Sequence, residues 1–201
     1  MWLKICGITS ADAVAAALAA RVDAIGFVFS PSVRRLEPGQ AAQLAAAARG
    51  RASLVAVTAH PEQQLVDEIV RVFQPDVLQT DLQDFDALRL PDTLSRLPVL
   101  RAGVGSGAAL PHRLLFEGAR SGSGEAADWN TASRLARMSE LILAGGLSAH
   151  NVAAAIRAVR PYGVDVSSGV ESAPGRKSAH MIAEFVEAAR AAFQGMADDE
   201  H

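Results

Sequence analysis

The sequence predicts an α/β protein: a single small (β/α)8 barrel of the TIM type. Three observations predict it. Short apolar runs rich in strand-forming residues alternate with longer alanine-rich stretches of helical character. Eight such runs can be counted in 201 residues. Polar and glycine-bearing motifs follow the strand ends one after another. The alternation implies parallel strands joined by right-handed crossovers. Eight such units close into a barrel, here at the small end of a range of roughly 200 to over 400 residues. A doubly wound open sheet is the alternative, and the succession of motifs at strand ends favours the barrel.

The first strand is expected over 2–6, with Ser10 placed to cap a helix over 11–20. DAIGFVF at 23–29 is followed by a helix near 38–49, opened by Pro38, a residue suited to a first turn. LVAVT at 54–58 leads through Pro61 into a helix over 62–73, and DVLQT at 76–80 precedes a weaker helix near 84–90. PVLRA at 98–102 has no convincing helix after it, so the helix after the fifth strand is weak or missing. RLLFE at 113–117 leads through a glycine-bearing segment to a helix near 130–138. LILA at 141–144 precedes a helix near 149–159. GVDVS at 163–167 precedes a glycine-bearing loop and a last helix near 178–194. The barrel domain is expected over 1–196, with a frayed acidic tail over 197–201.

Half of the residues are apolar and a fifth are charged, ordinary for a soluble globular domain. A formal net charge of −3 leaves no basic footprint, so nucleic acid is not an expected partner. No apolar run approaches the roughly 20 residues needed to cross a bilayer, so no membrane association is expected. The first residues lack the charged and apolar regions of a signal peptide, and the expected location is the cytoplasm. The single cysteine, Cys6, can make no internal disulfide, which suits a reducing compartment. The five histidines show no metal-ligand pattern with cysteine or carboxylates, and no metal is expected.

Active sites of such barrels lie at the C-terminal strand ends. Side chains alternate along a strand, so Lys4 and Cys6 share one face and Leu3 and Ile5 the other. The apolar pair should face the helices, leaving Lys4 inside and Cys6 at the mouth. A thiol there can act as a base once a nearby ammonium favours its thiolate, or can be a small buried hydrophobe. The first and eighth strands of a closed barrel are neighbours, so Lys4 should pair with Asp165, because an unpaired interior charge is costly. That ammonium should favour the Cys6 thiolate relative to an unperturbed value of about 8.5.

Gly145 and Gly146 link the seventh strand to a helix with Asn151 in its first turns, and Ser167, Ser168 and Gly169 follow the eighth strand. Glycines let backbone N–H groups approach an anion, though a plain tight turn explains the pair equally well. Their position after strands seven and eight favours phosphate, which barrels often hold there. Glu117 ends the sixth strand, where a carboxyl suits a general acid or a solvated loop residue. Arg34 and Arg35 follow the second strand. A guanidinium there could fork onto a carboxylate, a role that suits Arg34, with Arg35 in solvent.

These residues resemble the phosphoribosylanthranilate isomerase family of tryptophan biosynthesis. The resemblance rests on KICGIT at 4–9, DAIGFVF at 23–29, LAGGLSAHNV at 143–152 and GVDVSSGVESAPGRK at 163–177. It implies a (β/α)8 barrel, no cofactor, and an Amadori rearrangement of an aminoaldose to an aminoketose. It further implies Cys6 as base, Glu117 as acid and Arg34 on the substrate carboxylate. Gly145, Gly146, Ser168 and Gly169 would hold phosphate, with Asp165 near the sugar. The implied partner is a small phosphosugar, handled by a monomer or homodimer. Three departures stand out. The family usually has aspartate where Glu117 stands. Its fourth strand usually ends Gln-Leu-His-Gly, where this chain has Gln79, Thr80, Asp81 and Leu82. The loop after the second strand is one residue shorter.

Three rival readings are disfavoured. A histidine-pathway aminoaldose isomerase would carry aspartate where Cys6 stands. A metal-dependent pentose-phosphate epimerase would need histidine and carboxylate ligands at strand ends. A non-catalytic phosphosugar-binding protein would tolerate loss of Cys6 or Glu117, and both are present.

Overall fold

Eight short strands pair in parallel, and the last returns to the first. They are β1 (Trp2–Cys6), β2 (Ala24–Val28), β3 (Ser53–Val57), β4 (Val77–Asp81), β5 (Ser95–Arg101), β6 (Arg113–Glu117), β7 (Glu140–Leu143) and β8 (Gly163–Val166). Their order is that of the chain, and β8 pairs with β1 to close the barrel, which decides against an open sheet. The computed structural model describes residues 1–101, 110–118 and 128–198.

Alternation divides the apolar residues into two cores. Leu3, Ile5, Phe27, Leu54, Leu78, Phe116, Leu143 and Val166 point outward into the shell packed by the helices. Leu97, Val99, Leu115, Ile142 and Ala144 form a smaller cluster inside the barrel. Phe73, which follows the third helix, packs edge-on against Phe27 with ring centroids 5.2 Å apart, one contact fixing that helix to the barrel.

The helices are α1 (Ala11–Ala19), α2 (Pro38–Ala45), α3 (Gln63–Val72), α4 (Trp129–Ala136), α5 (Val152–Val159) and α6 (Ala179–Asp198). Ser10 caps α1 by accepting from the Ala13 N–H, and Pro38 opens α2, as the sequence predicts.

Some elements differ from expectation. No α-helix spans 84–90; a 3-10 turn covers Leu82–Asp86 instead. Asp84 is drawn inward there, accepting from Thr80 Oγ1 at 2.6 Å and from the His60 N–H at 3.1 Å, which tightens the chain. Strand β5 begins at Ser95 because its start pairs with Val77 of β4. Helix α5 begins at Val152 rather than near 149. Asn151 accepts the Ser148 N–H and donates to the Gly146 carbonyl, holding 148–151 as a turn. The loop after β8 carries an unexpected antiparallel hairpin, β9 (Glu171–Ala173) and β10 (Arg176–Lys177).

A weak or missing helix after β5 concerns residues that lie largely outside the described ones. So does most of the glycine-bearing segment before α4. Of the expected tail, 197 and 198 continue α6, and 199–201 lie outside the described residues. Among the described residues, no helix is long and apolar enough to cross a membrane.

Candidate active site

The inward side chains of the last strand layer open into one pocket at the C-terminal end of the barrel. Cys6, Gln79, Arg101, Glu117 and Asp165 line it from the strands, and Arg34, Gly145, Gly146 and Ser168 from the loops. The structure therefore gathers every site residue expected from the sequence except Gly169, which does not line the pocket.

Cys6 is buried at the end of β1. Beneath it, Lys4 is fully buried and its Nζ lies 3.0 Å from Asp165 Oδ2, with Lys4 and Asp165 in register across the β1–β8 seam. Burial opposes the charge of Lys4, but Asp165 and Cys6 outweigh it and raise the Lys4 pKa. The expected thiolate needs correcting. Burial pushes the Cys6 thiol above its ordinary value, and Lys4 pulls it down without overcoming that cost. Among the described residues, the other oxygen of Asp165, Oδ1, and Gln79 Oε1 are buried with no hydrogen-bond partner. Both residues line the pocket, so each brings an acceptor to it.

The loops after β7 and β8 meet above the barrel. Gly145 and Gly146 sit at φ +89° and +64°, conformations that favour glycine. Ser168 begins a 3-10 turn, Ser168–Val170, whose first N–H groups have no partner within the turn. At Gly169 a Cβ would overlap the Leu147 carbonyl oxygen, so this glycine lets the two loops touch. Gly169→Ala should force them apart, costing about 1–3 kcal/mol of stability as other overpacked sites do. Thermal unfolding checks this, and a wild-type midpoint would refute the close approach.

Arg34 reaches the pocket from the loop after β2, whereas Arg35 is half exposed and pairs with Glu37 at 3.0 Å. Arg34 is itself held by Glu171, with Nε and Nη2 donating at 2.7 and 2.8 Å.

On the opposite wall, Arg101 Nε donates to Asp81 Oδ1 at 2.6 Å, and its Nη1 donates to Glu117 Oε1. Glu117 and Asp81 are both buried. His60 Nδ1 lies 2.9 Å from Asp84 Oδ1, and its Nε2 3.5 Å from Asp81 Oδ2. The Asp84 contact raises the His60 pKa. His60, Asp81 and Asp84 thus form a group with metal-ligand chemistry that linear spacing did not reveal. Asp81 is already bound by the Arg101 guanidinium, and Asp84 by Thr80 and His60, so these carboxylates are satisfied within the protein.

Sequence reasoning missed Arg101, Gln79, Asp81, Glu171 and Lys177. Parity could have found the first three. Val99 and Arg101 alternate on β5 as Lys4 and Cys6 do on β1, and Gln79 and Asp81 likewise on β4. Glu171 and Lys177 had no such signal, because the hairpin carrying them reads as loop.

A closed eight-stranded barrel with a thiol, carboxyls and a guanidinium converging at its C-terminal mouth is a barrel enzyme acting on a small molecule. Comparisons with known proteins narrow this class. A profile of the N-(5'phosphoribosyl)anthranilate (PRA) isomerase family matches residues 3–188. The N-(5'-phosphoribosyl)anthranilate isomerase of Mesorhizobium japonicum is 39% identical over 94% of this chain and 95% of its own. The crystal structure of TrpF from Jonesia denitrificans is 38% identical with a TM-score of 0.77, covering 96% of this chain and 98% of that one. A phosphoribosyl anthranilate isomerase in complex with reduced 1-(o-carboxyphenylamino)-1-deoxyribulose 5-phosphate is 26% identical. Its TM-score is 0.79, over 95% of this chain and 99% of that one. The chain belongs to the N-(5'phosphoribosyl)anthranilate isomerase family.

Proposed function

We propose that the chain isomerises N-(5'-phosphoribosyl)anthranilate to the corresponding 1-deoxyribulose 5-phosphate aminoketose in tryptophan biosynthesis, with Cys6 as general base and Glu117 as general acid. One observation carries the assignment of roles: the thiol of β1 and the carboxyl of β6 open into the same pocket. That pocket is also lined by Arg34 and by the glycine loop after β7.

Glu117 protonates the ring oxygen of the ribosylamine. The bond from that oxygen to the first sugar carbon breaks, and the nitrogen lone pair forms a protonated imine. Cys6 removes the proton from the second sugar carbon, giving an enolamine that tautomerises to the ketone. N–H groups of Gly145, Gly146, Ser168 and Gly169 hold the phosphate, and Arg34 holds the anthranilate carboxylate. Asp165 Oδ1 and Gln79 Oε1 accept from ribose hydroxyls. All these groups come from one chain, so either a monomer or a homodimer is competent. A reducing cytoplasm keeps Cys6 available. Loss of anthranilate fluorescence on turnover of the phosphosugar tests the activity directly, and no turnover would refute it.

The state of Cys6 gives a pH prediction. A base whose pKa is raised is mostly protonated at neutral pH, so kcat/KM should climb as pH rises through that value. Lys4 lowers the thiol pKa against the larger effect of burial. Lys4→Met should therefore move the pH–rate profile and the pH dependence of Cys6 alkylation to higher pH together. Lys4→Met with Asp165→Asn, which leaves no unpaired interior carboxylate, should show the same direction. An unchanged alkylation profile in both folded variants would leave Lys4 a purely structural residue.

A further inference from the structure

We infer that Glu171 and Lys177, on the hairpin after β8, are positioning residues that present one edge of the Arg34 guanidinium to an aromatic carboxylate. The inference rests on the reading of Arg34 given above and goes beyond it to what makes Arg34 selective.

Glu171 is saturated by protein donors. Its Oε1 accepts from Arg34 Nε at 2.7 Å and from Lys177 Nζ at 2.7 Å. Its Oε2 accepts from Arg34 Nη2 at 2.8 Å and from the Gly175 N–H at 3.1 Å. Lys177 has a fully buried side chain, and its Nζ also donates to the Ser167 carbonyl at 3.0 Å and to Ser167 Oγ at 3.3 Å. One ammonium thus joins the loop bearing the candidate phosphate site to the carboxylate that grips Arg34. The hairpin is fastened at its turn as well, where Thr9 Oγ1 donates to the Gly175 carbonyl at 2.8 Å.

This arrangement leaves Arg34 a defined job. A guanidinium offers five donors in a planar fork with two bidentate edges. Glu171 takes the Nε edge, and among the described residues no protein group accepts from Nη1. The edge formed by Nη1 and Nη2 remains, on a residue that lines the pocket. The stem has little freedom, because Gly7 leaves just enough room for it; a Cβ there would press on Arg34 Cδ.

Charge explains why Lys177 is present. An isolated Arg34–Glu171 pair would be neutral and would draw a second carboxylate weakly. With Lys177 added, the trio carries one net positive charge beside the pocket; burial lowers the Lys177 pKa, and its bond to Glu171 opposes that loss. The two cations overcome the cost of burial and hold the Glu171 carboxyl at about 2, so it stays ionised through the working range.

Bracing of loops alone would predict something different, and two substrates separate the cases. One is the anthranilate phosphosugar, and the other is its aniline counterpart, which lacks the carboxylate. Glu171→Gln should raise KM for the first by about 10–100-fold, the worth of a charge-assisted bond, with a smaller change in kcat and none in KM for the second. Lys177→Met should do the same in milder form. In an Arg34→Ala background, Glu171→Gln should add nothing further for either substrate. Equal KM increases for both substrates would overturn the inference in favour of loop bracing, and unchanged KM for both would overturn it outright. If Glu171→Gln does not fold, Lys177→Met leaves the Arg34–Glu171 pair in place and carries the same selective test. Wild-type enzyme inactive on both substrates would instead refute the activity itself.

Discussion

Cys6→Ala is expected to lower kcat by roughly 10²–10⁴-fold, the usual cost of losing a positioned general base, while substrate binding is largely kept. Binding should survive because Cys6 holds neither the phosphate nor the carboxylate in the proposed pose. No neighbour can take over easily. Lys4 lies beneath, with its pKa raised and its Nζ bound to Asp165, so it remains protonated and cannot accept the sugar proton. Cys6→Ser, which supplies a far weaker acid and hence scarcely any alkoxide, should resemble Cys6→Ala. Steady-state kinetics checks the loss in kcat. Affinity for the reduced aminoketitol phosphate, which cannot react, checks that the pocket survives. A near-normal kcat in Cys6→Ala would sink the assignment.

What could be read from the sequence depended on how local the determining physics was. Strand periodicity is local, and one step of parity placed Lys4 inside, Cys6 at the mouth and Leu3 and Ile5 outside. The Lys4–Asp165 pair needed only the additional premise of closure, and the register confirms the contact. The glycine loops were legible because their residue types are demanding: positive φ at Gly145 and Gly146, and close approach at Gly169. Two kinds of feature escaped. The first is a sum of opposing effects. An ammonium under a thiol suggests a lowered pKa, yet burial is the larger influence, and burial cannot be weighed from residue types alone. The second is contact between segments distant in the chain. Arg34 and Glu171 are 137 positions apart, Arg101 and Asp81 are 20 apart, and no spacing rule joins them. The 3-10 turn in place of the helix near 84–90 belongs here too, since Thr80 and His60 hold Asp84 from outside the predicted helix.

Glu117→Gln should abolish most ring opening, with a loss again of roughly 10²–10⁴-fold, because an amide of nearly the same shape cannot hand over a proton. The fold should persist, since the amide oxygen can still accept from Arg101 Nη1, a contact that holds the carboxyl. Arg101 is steadied in turn by Asp81 of β4, so the Glu117 carboxyl is held by an anchored guanidinium. Glu117→Asp should retain substantial activity. It withdraws the carboxyl by one methylene, but it restores the aspartate that the family resemblance implies at this place. A substrate deuterated at the second sugar carbon distinguishes this loss from that of the base. When ring opening limits turnover, removal of that deuteron no longer does, so the primary isotope effect should shrink toward one in Glu117→Gln. In Cys6→Ala proton removal is the impaired step, and the effect should stay large. Full activity in Glu117→Gln would move the acid elsewhere. Asp128 would be a poor successor: it is exposed and caps α4, accepting from the Asn130 N–H at 3.0 Å and from Thr131 Oγ1 at 2.7 Å. Asp165 would then be tested, because among the described residues its Oδ1 is a buried carboxylate oxygen with no hydrogen-bond partner and its residue lines the pocket.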